Sequence, residues 1–537
     1  MLREVPGIRS ISRNEYHEGG IPCVAFSPDG RRLAFGQDNR LDQLDVSSGE
    51  TVLPLAAHGG AVRRLFFDRE GERLFTISDE AVRRILEWDS SSGRLFRDVP
   101  GKPWFARQAT LSPDRKILAA TQWGFGLHLT DTESGKKIRE IGNDIPYAVA
   151  YSPDGKLLAM SGSMGQTVWL LDATTGKTIR RVEGAGRGRY QATSLAFSAD
   201  GRLLASAGND VIHLAEIPSG RQHLRIDLPK MASLNAFALS GDGRTVAAAC
   251  WDPSLGLPYL AIRVWEVASG QERLSFSGPQ SSLHSLAFSP DGRLLAAAGR
   301  DRAIYLWDAA TGKTVRRREG HRGDVESLTF SPDGRRLASS SRDTTVLIWD
   351  VPRPPNVQPR SAALSRKELE DLWSDLAASY AIKAYRAMLR LEAVPEQAVS
   401  LLAEHLHPHS APDSQRIARL LAQLDSESFA ERERATEELR RLGWAAESAL
   451  REAMEGRLSL EMRKRIEDLL AGIRGTRLPA DLLRMLRGIE VLEHINTAAS
   501  LQLLRKLAEP SLPEGLGRDE LRREAQSALH RLTPSKP

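Results

Sequence analysis

The sequence predicts two architectures in series: an all-β array of eight small repeated units, then an all-α unit. Three observations predict this. A turn of the Ser-Pro-Asp-Gly type recurs eight times, alternating apolar runs flank each copy, and after Val351 the apolar period changes from that of strands to that of helices. In the turn, proline presets φ at the second position and glycine takes a bend that a side chain resists, so each copy reads as a hairpin. Intact copies are Phe26-Ser27-Pro28-Asp29-Gly30, Tyr151-Ser152-Pro153-Asp154-Gly155, Phe288-Ser289-Pro290-Asp291-Gly292 and Phe330-Ser331-Pro332-Asp333-Gly334. Degraded copies begin at Phe67, Leu111, Phe197 and Leu239. Successive first residues lie 41, 44, 40, 46, 42, 49 and 42 positions apart.

A strand closed by an acidic residue follows each copy. The ends are Leu44-Asp45, Trp88-Asp89, Thr130-Asp131, Leu171-Asp172, Ala215-Glu216, Trp265-Glu266, Trp307-Asp308 and Trp349-Asp350. Second turns such as Thr174-Thr175-Gly176-Lys177 come next. The strands are short and rich in small residues, as in Leu294-Leu295-Ala296-Ala297-Ala298, which suits inner strands crowded about an axis.

The stretch from Gly320-His321 to Ile348-Trp349-Asp350 carries Gly-His at one end and Trp-Asp at the other. In this it resembles the WD40-repeat family, whose unit of about 40–45 residues forms one four-stranded propeller blade. The resemblance implies an eight-bladed WD40-like β-propeller over residues 1–352, with seven blades and one displaced divergent unit as the alternative. The last unit stops at Asp350 without an outer strand, so residues 5–15 are expected to supply it and latch the ring. The resemblance also implies a structural hydrogen-bonded line through His321, Ser341 (or Ser339), Asp343 and Trp349.

Residues 353–364 begin with Arg353-Pro354-Pro355, directly after Pro352, and read as a semi-rigid linker. From residue 365 to 537 the period is helical. Ser365-Arg366-Lys367-Glu368 and Ser428-Phe429-Ala430-Glu431 have the form of capping boxes. In the second helix Phe429, Ala435, Leu439 and Leu442 share a face, and Gly443 ends it. Ala446, Ala449, Leu450 and Ala453 follow on a partner helix, then Ile466, Leu469, Leu470 and Ile473 on a third. The run from Arg432 to Ala446 resembles one HEAT-type repeat, so the unit is expected to be HEAT-like. The two-part arrangement resembles bacterial WD40-repeat proteins ending in such a module.

Composition narrows the function. A net charge of +5 from 74 basic and 69 acidic residues makes no electrostatic case for nucleic acid. Cys23 and Cys250 sit in separate repeats and read as buried thiols. The start of the chain has no apolar leader and no stretch approaches a membrane span, so a cytoplasmic protein with no membrane partner is expected. Thr175-Gly176-Lys177-Thr178 and Thr311-Gly312-Lys313-Thr314 lack the upstream glycine of a phosphate loop and lie between strands. His405, His407 and His409 gather three imidazoles, but Pro408 interrupts the helix that would fix their geometry, so no metal is assigned. No nucleophile, base and orienter assemble, and no cofactor is implied.

The expectation is therefore a non-catalytic scaffold, not an enzyme, that binds a protein or peptide. The alternative is a propeller enzyme with its site at the central channel mouth. By resemblance, the binding face is the one bearing the longer loops. Those loops carry Trp104, Phe105, Trp123, Phe125, Tyr147, Arg187, Arg189, Tyr190, Trp251 and Tyr259. Aromatic and arginine side chains dominate interface hot spots, which singles these residues out.

Overall fold

A computed structural model describes residues 23–26, 32–37, 40–45, 51–54, 60–68, 70–78, 85–92, 94–99, 106–122, 126–142, 146–162, 167–183, 194–208, 210–217, 222–228, 233–251, 260–279, 281–351, 363–407, 414–456, 458–474, 478–509 and 518–532. Its strands form eight antiparallel sheets, each in sequential strand order. Seven of them close a ring: blade 1 (residues 62–99), blade 2 (106–141), blade 3 (149–183), blade 4 (194–227), blade 5 (233–277), blade 6 (283–318) and blade 7 (325–350). The innermost strand of each blade packs against that of the next, and Val325–Phe330 of blade 7 packs directly against Val62–Phe67 of blade 1.

That last contact corrects the expectation of eight blades. Leu65 and Leu74 of blade 1 are buried with Ala338 of blade 7, and Phe67, Trp88, Val346 and Ile348 pack around them. Arg336 donates to Ser90 at 3.0 Å and Arg63 pairs with Glu326 at 2.9 Å across the same seam. The seam is filled, so the sheet of residues 23–54 holds no place in the ring. Seven blades with one displaced unit is the arrangement adopted. Blade 7 has three strands among the described residues, and the proposed latch at residues 5–15 lies outside them.

The recurrent turn works as its residues suggest. In blade 3 the Ser152 hydroxyl donates to Asp154 at 2.6 Å and accepts from the Leu157 N–H at 2.9 Å, while Gly155 takes φ +71°. The turns also pack on one another around the ring. A Cβ at Gly155 would stand 3.3 Å from Pro113 of blade 2, and one at Gly71 only 3.0 Å from Pro332 of blade 7. Glycine is thus required twice over, by its φ and by the neighbouring proline.

Blade 7 holds the polar line, but through Ser339. An indole N–H can only donate, so Trp349 donates to the Ser339 hydroxyl at 2.8 Å. Ser339 in turn lies 2.7 Å from His321 Nε2, and His321 Nδ1 stands 3.2 Å from Asp343. Ser341 turns elsewhere and donates to the Gly323 carbonyl at 3.0 Å. The two serines lie on one face of their strand, both buried, and only Ser339 reaches the imidazole. Burial opposes ionisation of Asp343, yet hydrogen bonds from His321 and Thr345 hold its carboxyl far below the usual range. Blade 1 keeps a shorter version, with Trp88 donating to Thr76 at 2.7 Å.

Ten helices follow among the described residues: α1 (Arg366–Asp375), α2 (Ala381–Glu392), α3 (Pro395–His405), α4 (Ser414–Gln423), α5 (Phe429–Leu442), α6 (Glu447–Glu455), α7 (Leu460–Arg474), α8 (Ala480–Ile495), α9 (Ala498–Leu507) and α10 (Arg518–Leu532). They bury two cores. One joins α1–α3 to α8–α10 around Leu391, Leu402, Ile489 and Leu492, and the other joins α4–α7 around Leu424, Leu439, Leu450 and Ile466. Trp444 packs on both. Because α2 packs on α8, the chain folds back on itself around the α4–α7 insertion.

Ser365 forms a complete capping box with Glu368. Ser428 occupies the N-cap of α5 but makes no side-chain cap, because Glu431 instead accepts from Ser426 at 2.6 Å. Ala435 and Leu439 are buried as their spacing indicates, whereas Phe429 is exposed, with Arg432 and Arg465 over its ring. At the first position of its helix, that ring lies beyond the edge of the core.

Replacing Ser339 with alanine leaves the buried Trp349 N–H and a His321 nitrogen without a partner. A loss of about 1–3 kcal/mol is expected. Urea denaturation followed by tryptophan fluorescence measures it, and an unchanged midpoint would show that the line does not hold the blade.

Candidate functional site

The connections of a blade divide between two ends of the ring. Turns joining first to second and third to fourth strands open at one end. Second-to-third loops and blade-to-blade connections open at the other. Among the expected binding residues, Trp251 ends the second strand of blade 5, paired with Leu260, and is 36% exposed. Tyr147 stands half-buried just before blade 3. Both sit at the loop-bearing end. Trp104, Phe105, Trp123, Phe125, Arg187, Arg189, Tyr190 and Tyr259 lie outside the described residues.

The turn-bearing end is occupied by the helical unit on blades 4, 5 and 6. In blade 4 Arg202 donates to Ser527 of α10 at 2.9 Å, and in blade 6 Arg293 donates to the His494 carbonyl at the end of α8 at 3.3 Å. Blade 5 makes the central attachment. Arg273 forks onto Glu490 of α8 with two bonds of 3.0 Å and reaches Glu266 at 2.8 Å. Arg487 of α8 forks onto Glu266 at 3.0 and 2.6 Å, and its remaining nitrogen donates to the carbonyls of Leu376 and Ala378 beyond α1. Tyr385 of α2 lies under the Arg273 guanidinium, 4.9 Å from ring centre to carbon.

A second set stands beside the first. Arg244 bonds Glu524 at 3.0 Å and pairs with Glu493 at 2.7 Å, while Arg531 forks onto Glu493 at 2.7 and 2.8 Å. The first set joins two guanidiniums to two carboxylates and is neutral overall, while in the second Asp242 also stands 3.8 Å from Arg244. Arg273, Glu266, Arg487 and Glu490 are all buried. Removing ions from water costs several kcal/mol each, and only forked geometry with most donors satisfied offsets that. No hydrophobic cluster contains residues of both units among the described residues, so the attachment rests on ions.

Glu266 shows how one methylene makes the difference. At the same place blades 3 and 6 carry Asp172 and Asp308, whose carboxylates fold back to accept from Thr175 N–H at 2.6 Å and Thr311 N–H at 2.8 Å. The longer Glu266 still accepts from the Ser269 hydroxyl but extends past the turn to both arginines. Burial works against its ionisation, and Arg273 and Arg487 prevail, bringing its carboxyl from the ordinary 4.5 to about 2. Glu493 and Glu524 are also held below the usual range despite burial, chiefly by Arg244 and Arg531.

Beside the clamp a cleft of about 1000 Å³ opens between blades 4 and 5 and helices α6, α7, α8 and α10, with His223, Glu216, Arg451 and Glu520 on its walls. Burial and the neighbouring Glu447 push the Glu520 carboxyl up. His405 stacks on Trp373 and pairs with Glu370 at 3.3 Å. No group of three or more metal-capable side chains occurs among the described residues. No helix there is long and apolar enough to cross a membrane.

Sequence reasoning missed the clamp. Its signals are present all the same: Trp265-Glu266 in place of Trp-Asp, and proline lost from the turns at Ala199 and Gly241 in the two blades beside the cleft.

Five stretches of the chain match the family model for the WD domain, G-beta repeat: residues 9–41, 135–172, 176–214, 270–308 and 312–350. Within the ring, the WD40 matches fall on blades 3, 4, 6 and 7 and on the outer strands of blades 2 and 5. The interval 215–269, which carries Arg244 and Glu266, falls between two matches. WD repeat-containing protein SL1-17 of Schistosoma mansoni is 24% identical over 300 residues, 54% of this chain and 96% of that protein. Periodic tryptophan protein 2 of Arabidopsis thaliana is 30% identical over 37% of this chain and 29% of its own length. Pre-mRNA-processing factor 17 of Homo sapiens is 34% identical over 18% of this chain and 17% of its own. The chain thus spans under a third of the last two. These relatives are eukaryotic, so the tie to bacterial proteins finds no support in them.

Replacing Arg487 with methionine leaves Glu266 and Glu490 to share Arg273 as a buried excess of negative charge. About 3–5 kcal/mol of attachment is then lost. Hydrogen exchange is expected to quicken in α8 and in blade 5 near Glu266 while blades 1–3 keep their protection; equal exchange in both proteins would show that the clamp does not bind the units.

Acid acts through the same groups. The stabilisation from Glu266 is complete above its unfolded value of 4.5 and is lost as pH falls toward about 2. Glu493 and Glu524 add to the loss in the same direction. Small-angle scattering should record expansion on descending through that window, before the apolar blades unfold. A radius constant to pH 2 would contradict this.

Proposed function

We propose that this WD40-repeat chain is a non-catalytic scaffold that presents the loop-bearing end of its ring to a protein or peptide partner. In this reading residues 1–352 form the propeller unit, 353–364 a linker, and 365–537 a HEAT-like unit that serves as a fixed second module. The binding residues are Trp104, Phe105, Trp123, Phe125, Tyr147, Arg187, Arg189, Tyr190, Trp251 and Tyr259.

One observation carries the reading. The helical unit is fastened to the turn-bearing end, away from the opposite end where Trp251 is exposed. A large aromatic ring held at a strand end offers contact area at little entropic cost. The relatives support a scaffold more than a fixed chemistry. Autophagy-related protein 16 of Arabidopsis thaliana, 24% identical over 54% of this chain and 56% of its own length, and the human pre-mRNA-processing factor bear names as different as autophagy and pre-mRNA processing, while the repeats are what they share with this chain. A WD40 ring recruited to such varied tasks acts through the surfaces it offers.

Replacing Trp251 and Tyr259 together with alanine is expected to weaken partner capture by about tenfold or more without lowering thermal stability. Cross-linking mass spectrometry in native-cell extract, comparing the two proteins, reads this directly. Unchanged cross-links at the loop-bearing end would place the binding face elsewhere.

A further inference from the structure

The attachment of the helical unit uses positions that recur in every blade. In each one, the residue just before the second strand accepts through its carbonyl from the N–H that follows the third strand. Arg202, Arg244 and Arg293 do so in blades 4, 5 and 6, with bonds of 2.6, 2.8 and 2.9 Å. These are the three arginines that reach the helical unit from the first turn. Lys116 and Lys156 occupy the same place in blades 2 and 3, their carbonyls accepting from Thr132 and Ala173 at 2.9 Å. Both lysines are exposed.

A second position recurs at the start of the outer strand, where a bulge leaves one residue without a partner in the ladder. In blades 4 and 5 it is His223 and Arg273, at the cleft and in the clamp. In blades 2 and 3 it is Ile138 and Ile179, which are 47% and 55% exposed. Blades 2 and 3 thus repeat the attachment geometry of their neighbours. They keep the cation of the first turn and put an aliphatic side chain where the neighbours have a polar one. The adjacent Lys136 and Lys177 are exposed as well.

We propose that the turn-bearing end of blades 2 and 3 is a docking surface for an acidic amphipathic helix of a partner protein. The surface continues an interface already formed in the same ring, where Arg244 at the first turn meets Glu524 and Glu493 and Arg273 at the bulge meets Glu490, while Arg202 and Arg293 reach a hydroxyl and a carbonyl of the same helices. A helix presents acidic and apolar residues on one stripe, which matches alternating lysines and isoleucines. Isoleucine offers no π face for stacking bases, so single-stranded nucleic acid fits the surface poorly. The helical unit projects from the same end on blades 4–6, which keeps a flat bilayer away from blades 2 and 3. The surface is independent of the loop-bearing end.

The test uses the full chain and a fluorescein-labelled synthetic helix with Glu and Leu on one stripe. Controls are a scrambled peptide of the same composition, phosphatidylserine vesicles, and a single-stranded oligonucleotide. Saturable binding of the helix is expected. Lys116→Glu with Lys156→Glu should weaken it by about tenfold or more. Ile138→Ser with Ile179→Ser should weaken it too, whereas Trp251→Ala leaves it unchanged. All these positions are exposed, and an unaltered melting curve verifies that each variant folds. Absence of saturable binding, equal binding of the scrambled peptide, or indifference to both double variants overturns the proposal. So does retention of only vesicles or oligonucleotide, or sensitivity to Trp251→Ala alone.

Discussion

Direct packing of blade 1 on blade 7 is the constraint on which the rest of the molecule depends. An open row of small sheets exposes two apolar faces, one at each end of the row. Closure removes both faces together. Here it is made by Leu65 and Leu74 against Ala338, by Pro332 over Gly71, and by Arg336 to Ser90. The angle of each blade is then fixed by its neighbours on both sides. That fixed geometry brings Arg202, Arg244 and Arg293, on three separate sheets, to one end of the ring.

The attachment of the helical unit follows from what each unit lacks. Both complete their own apolar cores, so neither has an apolar face left for the other. What remains is a set of recurring turn cations on the ring and glutamates on α8 and α10. Exposed pairs of this kind contribute little, since water and salt screen them. Buried and forked, they resist any change of partner, because a mismatched arrangement leaves a charge without a counter-ion in a dry place. The clamp therefore selects one relative placement more than it adds stability. The neighbouring cleft is enclosed on two sides for the same reason: the units touch through ions at a few points, without a continuous apolar seam.

Much of this was open to reading from the residues. The spacing of Ser-Pro-Asp-Gly copies reveals the repeat, because proline and glycine are needed there for backbone reasons independent of the rest of the fold. The count of blades was not open in the same way. Phe26-Ser27-Pro28-Asp29-Gly30 is as good a turn as any, and only the packing of Val62–Phe67 on Val325–Phe330 shows that its sheet is outside the ring. Ser339 and Ser341 illustrate the limit at smaller scale, for alternation puts both on one face and only their place along the strand separates them, Ser341 being its last residue. Phe429 satisfies a helical spacing yet ends on the surface, because periodicity assigns a face and says nothing of where the core stops. Most of the loop aromatics lie outside the described residues. The binding end therefore rests on Trp251, Tyr147 and on where the helical unit is not.

Glu266 and Arg273 read as ordinary variation in a repeat, and that is why they were passed over. A repeat protein hides specialisation in this manner. Each blade must keep its turn, its inner strands and its packing on two neighbours, so what can vary without cost is confined to a few outward positions. The bulge residue of the outer strand and the residue before the second strand are two of these. At the bulge, blades 4 and 5 carry His223 and Arg273 where blades 1, 2, 3 and 6 carry Phe96, Ile138, Ile179 and Val315, and Arg273 meets Glu490 of α8. Departures that occur together at equivalent positions of adjacent units are the sequence trace of a partner, whether that partner is carried on the same chain or not. In the next two blades Ile138 and Ile179 stand exposed at the equivalent place, with Lys116 and Lys156 exposed at the first turns.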